Sequence, residues 1–153
     1  TDYLIDTSYL SPAQPRERLV GLFLGSEKSG MQVQCMSFGF KYGYPAEADL
    51  VLDVRCLPNP FYVDELKHKT GLDQEVREYV LDKDVTKGFQ TRLYSLIDYL
   101  LPLYSEEGKS QLVVAIGCTG GKHRSVALAE ELAKHVADQG IKVAVNHRDI
   151  EKL

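Results

Sequence analysis

Residues 112–139 constrain this chain more than any other stretch. Leu112-Val113-Val114-Ala115-Ile116 is an unbroken apolar run, and a strand apolar on both sides belongs in a sheet covered on both faces. It leads into Gly117-Cys118-Thr119-Gly120-Gly121-Lys122-His123-Arg124-Ser125, a glycine-rich basic loop. An amphipathic helix is predicted over 126–139, with Gly140 as its stop, and a strand over 141–145. Strand, loop, helix and strand in that order define an α/β domain with a mostly parallel sheet flanked by helices.

The rest of the chain fits around this unit. Ser11-Pro12 reads as a helix start, with Leu19, Leu22 and Phe23 as its apolar stripe and Gly25-Ser26 as its end. A strand is expected over 31–38, followed by the aromatic loop Gly39-Phe40-Lys41-Tyr42-Gly43-Tyr44-Pro45. Residues 49–54 are nearly all apolar and read as a second strand covered on both faces, ended by Pro58-Asn59-Pro60. Asp73 looks like the N-cap of a helix over 74–81. A longer helix over 85–104 carries Phe89, Leu93, Leu96, Ile97, Leu100 and Leu103 at helical steps, and Pro102 is placed to kink its last turn.

At 153 residues the chain has the length of one domain. Residues 1–10 read as the stub of a preceding domain or linker, and residues 11–153 as the domain itself. The opening Thr1 suggests a piece cut from a longer protein. No apolar run approaches the ~20 residues of a membrane span, and no basic leader precedes an apolar core. Cys35, Cys56 and Cys118 are odd in number and scattered, which points to a reducing, cytoplasmic compartment. They lack metal-clip spacing, so no metal site is expected. With 18 Lys plus Arg against 22 Asp plus Glu the net charge is −4. A general polyanion binder is therefore excluded, and any phosphate site must be a local positive island.

The 117–125 loop is where that island would lie. A helix N-terminus presents unsatisfied N–H groups and the positive end of the helix dipole. Adjacent glycines let the backbone curl so that several N–H groups meet one oxyanion. Arg124 could grip the anion with its guanidinium fork, and Ser125 could cap the helix or donate its hydroxyl. Lys122 and His123 add charge at the rim. The spacing is not that of a Walker A loop. Ligands of parallel sheets collect at the carboxyl ends of strands. If 112–117 and 141–145 are parallel neighbours, that edge also gathers His147 and Arg148, with Asp53 and Arg55 and, on the aromatic loop, Lys41. Each has a plainer reading as solvated surface, and for Arg55 as a salt bridge to Asp53.

The same loop supports a second chemistry. Cys118 and Arg124 stand in a Cys-x5-Arg-Ser pattern, the signature of phosphatases whose thiolate attacks phosphorus. A helix N-terminus and an arginine would depress the thiol pKa. Asp53 is then the candidate general acid. Gly117, however, stands where such enzymes usually place His, and a small buried residue is an ordinary role for Cys118.

Several blocks together resemble the C-terminal domain of the RapZ/YvcJ family of nucleotide-binding and RNase-adapter proteins. They are Met36-Ser37-Phe38-Gly39-Phe40-Lys41-Tyr42-Gly43, Asp53-Val54-Arg55, Leu57-Pro58-Asn59-Pro60, Thr70-Gly71-Leu72-Asp73, the 115–125 loop, and His147-Arg148 with Glu151-Lys152. The resemblance implies a regulatory domain rather than an enzyme. It implies sensing of an amino-sugar phosphate, glucosamine-6-phosphate, in the 118–125 loop, with Arg124 as main clamp and Arg55, His147 and Arg148 closing the pocket. It also implies a small RNA and an endoribonuclease as partners, and a homo-oligomer. Residues 1–10 would be the tail of the family's P-loop domain, so ATP or GTP would bind in that absent domain and no cofactor in this one. Phe61-Tyr62 stands where the RapZ branch has His after Asn-Pro, as in the YvcJ-like branch, and the basic C-terminal extension shrinks to Glu151-Lys152-Leu153. RNA contacts would fall to Lys41 and Tyr42, which could stack a base, and to Lys67 and Lys69; packed loop aromatics and a solvated turn are the plainer readings.

Overall fold

The computed structural model describes residues 18–20 and 31–152. They form one five-stranded sheet with the helices packed on it. The strands are β1 (Arg18–Val20), β2 (Gln32–Gly39), β3 (Leu50–Asp53), β4 (Gln111–Cys118) and β5 (Lys142–His147). The helices are α1 (Gln74–Leu81), α2 (Asp84–Glu106) and α3 (Arg124–Ala137), with short 3₁₀ turns at Phe40–Tyr42 and Pro60–Tyr62. The order across the sheet is β1-β5-β2-β4-β3. Four strands are parallel, and β1 alone runs antiparallel, against β5. The α/β class and the parallel sheet flanked by helices are as expected.

Three expectations are corrected. Where the helix predicted after Ser11-Pro12 reaches described residues, Arg18–Val20 is a strand paired with Val143–Val145; the remainder of that helix lies outside the described residues, as do residues 1–10. Sheet pairing with a distant strand has overridden a short local pattern. Second, β4 and β5 are parallel but not neighbours, because β2 lies between them and pairs with both. Third, β3 is an edge strand with alternating exposure rather than a covered one, and Val51 is 41% exposed. An apolar run cannot say which strand ends the sheet.

β2 is buried along its whole length, β4 from Leu112 onward and β5 from Val143. Their core-facing residues (Val33, Cys35, Leu112, Val114, Ile116, Val143 and Val145) pack with Val76, Leu93, Ile97, Leu128 and Leu132 of the three helices. Burial, with Glu130 adding to it, pushes the Cys35 thiol up to about 12. α2 runs from Asp84 through Pro102 to Glu106. α2 and α3 are joined by Asp98, whose carboxylate accepts from Gln139 Nε2 at 2.8 Å and meets His135 Nε2 at 2.9 Å.

The register decides where a ligand can sit. Gly39 aligns with Cys118, Asp53 with Gly117 and Ser37 with His147. All four parallel strands therefore end at one edge, so the expectation drawn from the carboxyl ends survives the correction to strand order.

Candidate functional site

Cys118 closes β4 and Arg124 opens α3, so five residues turn a strand into a helix. His123 is the N-cap, makes no side-chain capping bond, and no acidic residue follows in the first turn. The helix thus keeps its N-terminal partial charge uncompensated. The turn is held tightly. Gly121 has φ +79°, and a Cβ there would lie 2.6 Å from the Gly39 backbone nitrogen. A Cβ on Gly39 would lie 2.5 Å from the Gly120 carbonyl carbon. Only glycine at both positions lets the end of β2 and the loop touch.

From behind, Gly71 N–H donates to the Lys122 carbonyl at 2.7 Å, and a Cβ on Gly71 would meet the His123 carbonyl oxygen at 2.5 Å. His123 Nε2 lies 3.1 Å from the Lys67 carbonyl, an acceptor, so this nitrogen carries the proton. Burial holds the His123 pKa below its ordinary value, helped by the nearby Arg124 and Lys122 charges against the bonds to Lys67 and Lys69.

Asp149 anchors the front. Its buried carboxylate accepts from Gly39 N–H at 2.7 Å, from Arg148 Nη2 at 2.8 Å and from Lys152 Nζ at 2.7 Å. Burial acts to raise its pKa, but these bonds outweigh it and hold the carboxyl below the ordinary range.

A cleft of about 420 Å³ opens over the loop. Its walls include Cys118, Thr119, Gly120, Lys122, His123 and Arg124 from the loop, and Lys41 and Tyr42 from the aromatic segment. Asn59, Phe61, Tyr62, Lys67 and His68 close the other side. Arg124 is 3% exposed. Its Nη1 donates to the carbonyls of Arg55 at 2.7 Å and Leu57 at 3.2 Å, while its buried Nε has no hydrogen-bond partner. Among the described residues Arg124 has no carboxylate within ion-pair distance. It is a buried cation with capacity left over. Cys118 also lines the cleft, and its Sγ donates to Ser125 Oγ at 3.2 Å.

Several residues expected in the pocket do other work. Gly121 and Ser125 are buried scaffold behind its wall. Arg55 is tied to Asp53 by bonds of 2.7 and 2.9 Å and lies 4.1 Å from the Phe40 ring centroid, with neither of the pair on the cleft wall. The hydrogen bond from Arg55 lowers the Asp53 pKa against the opposing effect of burial, helped by the Arg55 and Arg124 charges. Asp53 therefore stands ionised and engaged, not as a free general acid. His147 is buried between Ser37 Oγ and Glu130 Oε2, each at 2.7 Å. Arg148 donates to the Gly43 carbonyl at 2.6 Å and pairs with Asp149. It braces the aromatic loop instead of closing the pocket. Of the RNA candidates, Lys41, Tyr42 and Lys67 reach the cleft, whereas Lys69 pairs with Glu75 at 3.0 Å outside it.

Sequence reasoning missed Asn59, Phe61, Tyr62 and His68 as cleft residues and Asp149 as the anchor. The turn that carries the first three is marked locally, but its approach to the loop is not. Asn59 precedes a proline at the first position of a turn and caps it, its Oδ1 accepting from Phe61 N–H at 3.0 Å. Nothing local marks Asp149.

Fold and site together define a mostly parallel α/β domain with a glycine-rich strand–loop–helix turn and a cleft at the carboxyl edge of its sheet. A model of the RapZ C-terminal domain matches residues 31–151, and the chain belongs to that family. It is 60% identical over 152 residues to a nucleotide-binding protein of Caldicellulosiruptor bescii, covering 99% of this chain and 52% of that protein. A nucleotide-binding protein of Geobacillus kaustophilus is 52% identical over 149 residues, covering 97% of this chain and 50% of that protein. The chain thus spans about half the length of the curated relatives it matches. No helix among the described residues is long and apolar enough to cross a membrane.

Proposed function

We propose that this domain is a regulatory sensor that binds a phosphorylated metabolite in the cleft over residues 118–124 and passes its occupancy to a small RNA or a protein partner. One observation carries the reading: Arg124 is buried in the cleft wall with an unpartnered Nε and, among the described residues, no carboxylate within ion-pair distance. A buried guanidinium without a direct ion-pair partner is costly, and an anion relieves that cost. The uncapped helix start and the glycine turn add backbone donors. Glucosamine-6-phosphate, which the resemblance implies, is the first sugar phosphate to test. We further propose that the whole protein binds ATP or GTP in a domain outside this chain and that it self-associates.

A thermal-shift comparison of glucosamine-6-phosphate with glucosamine tests the reading, because a ligand bound only by the folded state raises stability by mass action. The phosphate ester alone should raise the melting temperature. An equal response to both compounds removes the phosphate-directed site. The phosphatase alternative has the Cys118–Ser125 contact in its favour, but its general acid is occupied by Arg55.

A further inference from the structure

We infer that the outer face of α2 is a docking surface for a second copy of this chain, the two helices running antiparallel with Tyr99 at the two-fold axis and Arg92 of each copy opposite Glu106 of the other. The inference rests on the self-association proposed above and assigns that contact a place in this domain. α2 carries two apolar faces where a surface helix needs one. Its inner face meets the fold's demand, since Leu93, Ile97 and Leu101 are all buried in the core.

The outer face is apolar as well, yet it lies in water. Val85 is 56%, Leu96 46%, Tyr99 69% and Leu103 44% exposed. With 3.6 residues per turn, positions 85, 92, 96, 99, 103 and 106 fall within a sector of about 80°, so these side chains form one stripe. Exposed Ser95 and Pro102 flank it. A contiguous apolar stripe left in water marks an interaction surface.

Charge identifies the occupant. Arg92 and Glu106 lie seven residues to either side of Tyr99, and the stripe between them carries no charge. Arg92 Nη1 only returns to the Gly88 carbonyl, at 3.1 Å. Among the described residues neither Arg92 nor Glu106 has an ion-pair partner. A two-fold axis through Tyr99 sets Arg92 against Glu106, Leu96 against Pro102 and Ser95 against Leu103, each between copies. Like charges never meet. A face that complements itself under a two-fold is what an isologous contact requires, and Tyr and Arg are the residue types that carry most binding energy at such contacts. A lipid surface fits poorly, because helices that lie on membranes flank their apolar side with several Lys or Arg, whereas this stripe has one cation and one anion.

The test is sedimentation equilibrium of the chain at concentrations up to about 1 mM, the weak end of specific association. The average mass of the parent should climb toward twice that of one chain. Arg92→Glu or Glu106→Arg alone sets like charges together at two symmetry-related contacts and should raise the dimer Kd roughly 10-fold or more. The double variant carrying both changes restores opposite signs and should return the Kd to near that of the parent. A dimer that ignores both single variants lies on another surface; this overturns the inference and leaves self-association standing. Single variants that weaken the dimer without rescue by the double variant overturn the antiparallel pairing. A parent that stays monomeric throughout overturns the inference too, and self-association then belongs to the rest of the whole protein. Arg92 and Glu106 are exposed side chains, so a thermal melt of each variant serves as the folding control.

Discussion

Gly120 and Gly121 are adjacent and look interchangeable in the sequence, yet replacing each with alanine should have opposite consequences. At Gly121 a methyl group would sit 2.6 Å from Gly39 N and 2.8 Å from the Phe38 carbonyl carbon, on a residue with φ +79°. Left-handed backbone costs a non-glycine residue about 1–2 kcal/mol. Relieving the overlap means pushing β2 away and losing the Gly39–Asp149 bond of 2.7 Å, a charge-assisted bond worth about 1.5–3 kcal/mol. Gly121→Ala should therefore destabilise by roughly 2.5–5 kcal/mol, which for a domain of this size lowers the melting temperature by roughly 5–20 °C. At Gly120 a Cβ meets nothing within 4 Å. That variant should melt within a few degrees of the parent, because alanine at a compatible position also restricts the unfolded chain. Gly120 lines the cleft, so its variant should respond less to a phosphate ligand. Urea and thermal unfolding of both variants decide the matter. If Gly121→Ala unfolds at the same midpoint as the parent, the close approach of β2 and the loop is wrong.

Further outcomes follow from the same geometry. Asp149→Asn keeps the shape but removes the charge held by Arg148, Lys152 and Gly39; it should cost about 1–3 kcal/mol. The Asp149 pKa is lowered on folding, so its contribution is present above the ordinary value near 4 and lost as pH falls through the folded value; acid melts should show the parent losing more stability than the variant. His123 has its pKa lowered, chiefly by burial, so the unfolded chain takes up the proton first and stability drains away as pH falls below about 6.5. The stability difference between the parent and His123→Gln should then shrink from pH 7.5 to 5.5, and a constant difference would refute the assignment. Arg55→Ala removes an exposed, solvent-screened pair and should leave both the melting temperature and the response to a phosphate ligand nearly unchanged. Cys118→Ser should likewise retain that response; turnover of an aryl phosphate by the parent but not by this variant would revive the phosphatase reading.

Much of the fold was legible because it is written locally. The apolar run and glycine pair mark β4 and its loop, Asp73 marks the start of α1, and the three- and four-residue steps predict α2 to within two residues at either end. What failed depends on partners far away in the chain. β1 becomes a strand through Val143–Val145, and β3 becomes an edge through the order of the sheet. In the site, the cradle could be read from glycine, charge and helix start. The fates of Arg55 and Arg148 turned on which carboxylate reached them first, and His147 on burial between Ser37 and Glu130. Phe61 and Tyr62 face the loop across some sixty residues of chain, and no local pattern reports such a meeting.

The loop is wedged between Gly39 on one side and Gly71 on the other, with no slack toward either. Its length is therefore frozen, since an inserted or deleted residue would break both contacts together. The turn that presents Phe61 and Tyr62 carries no such constraint on its outward side chains. A substitution at Phe61 or Tyr62 can thus reshape the mouth of the cleft while its floor keeps its form.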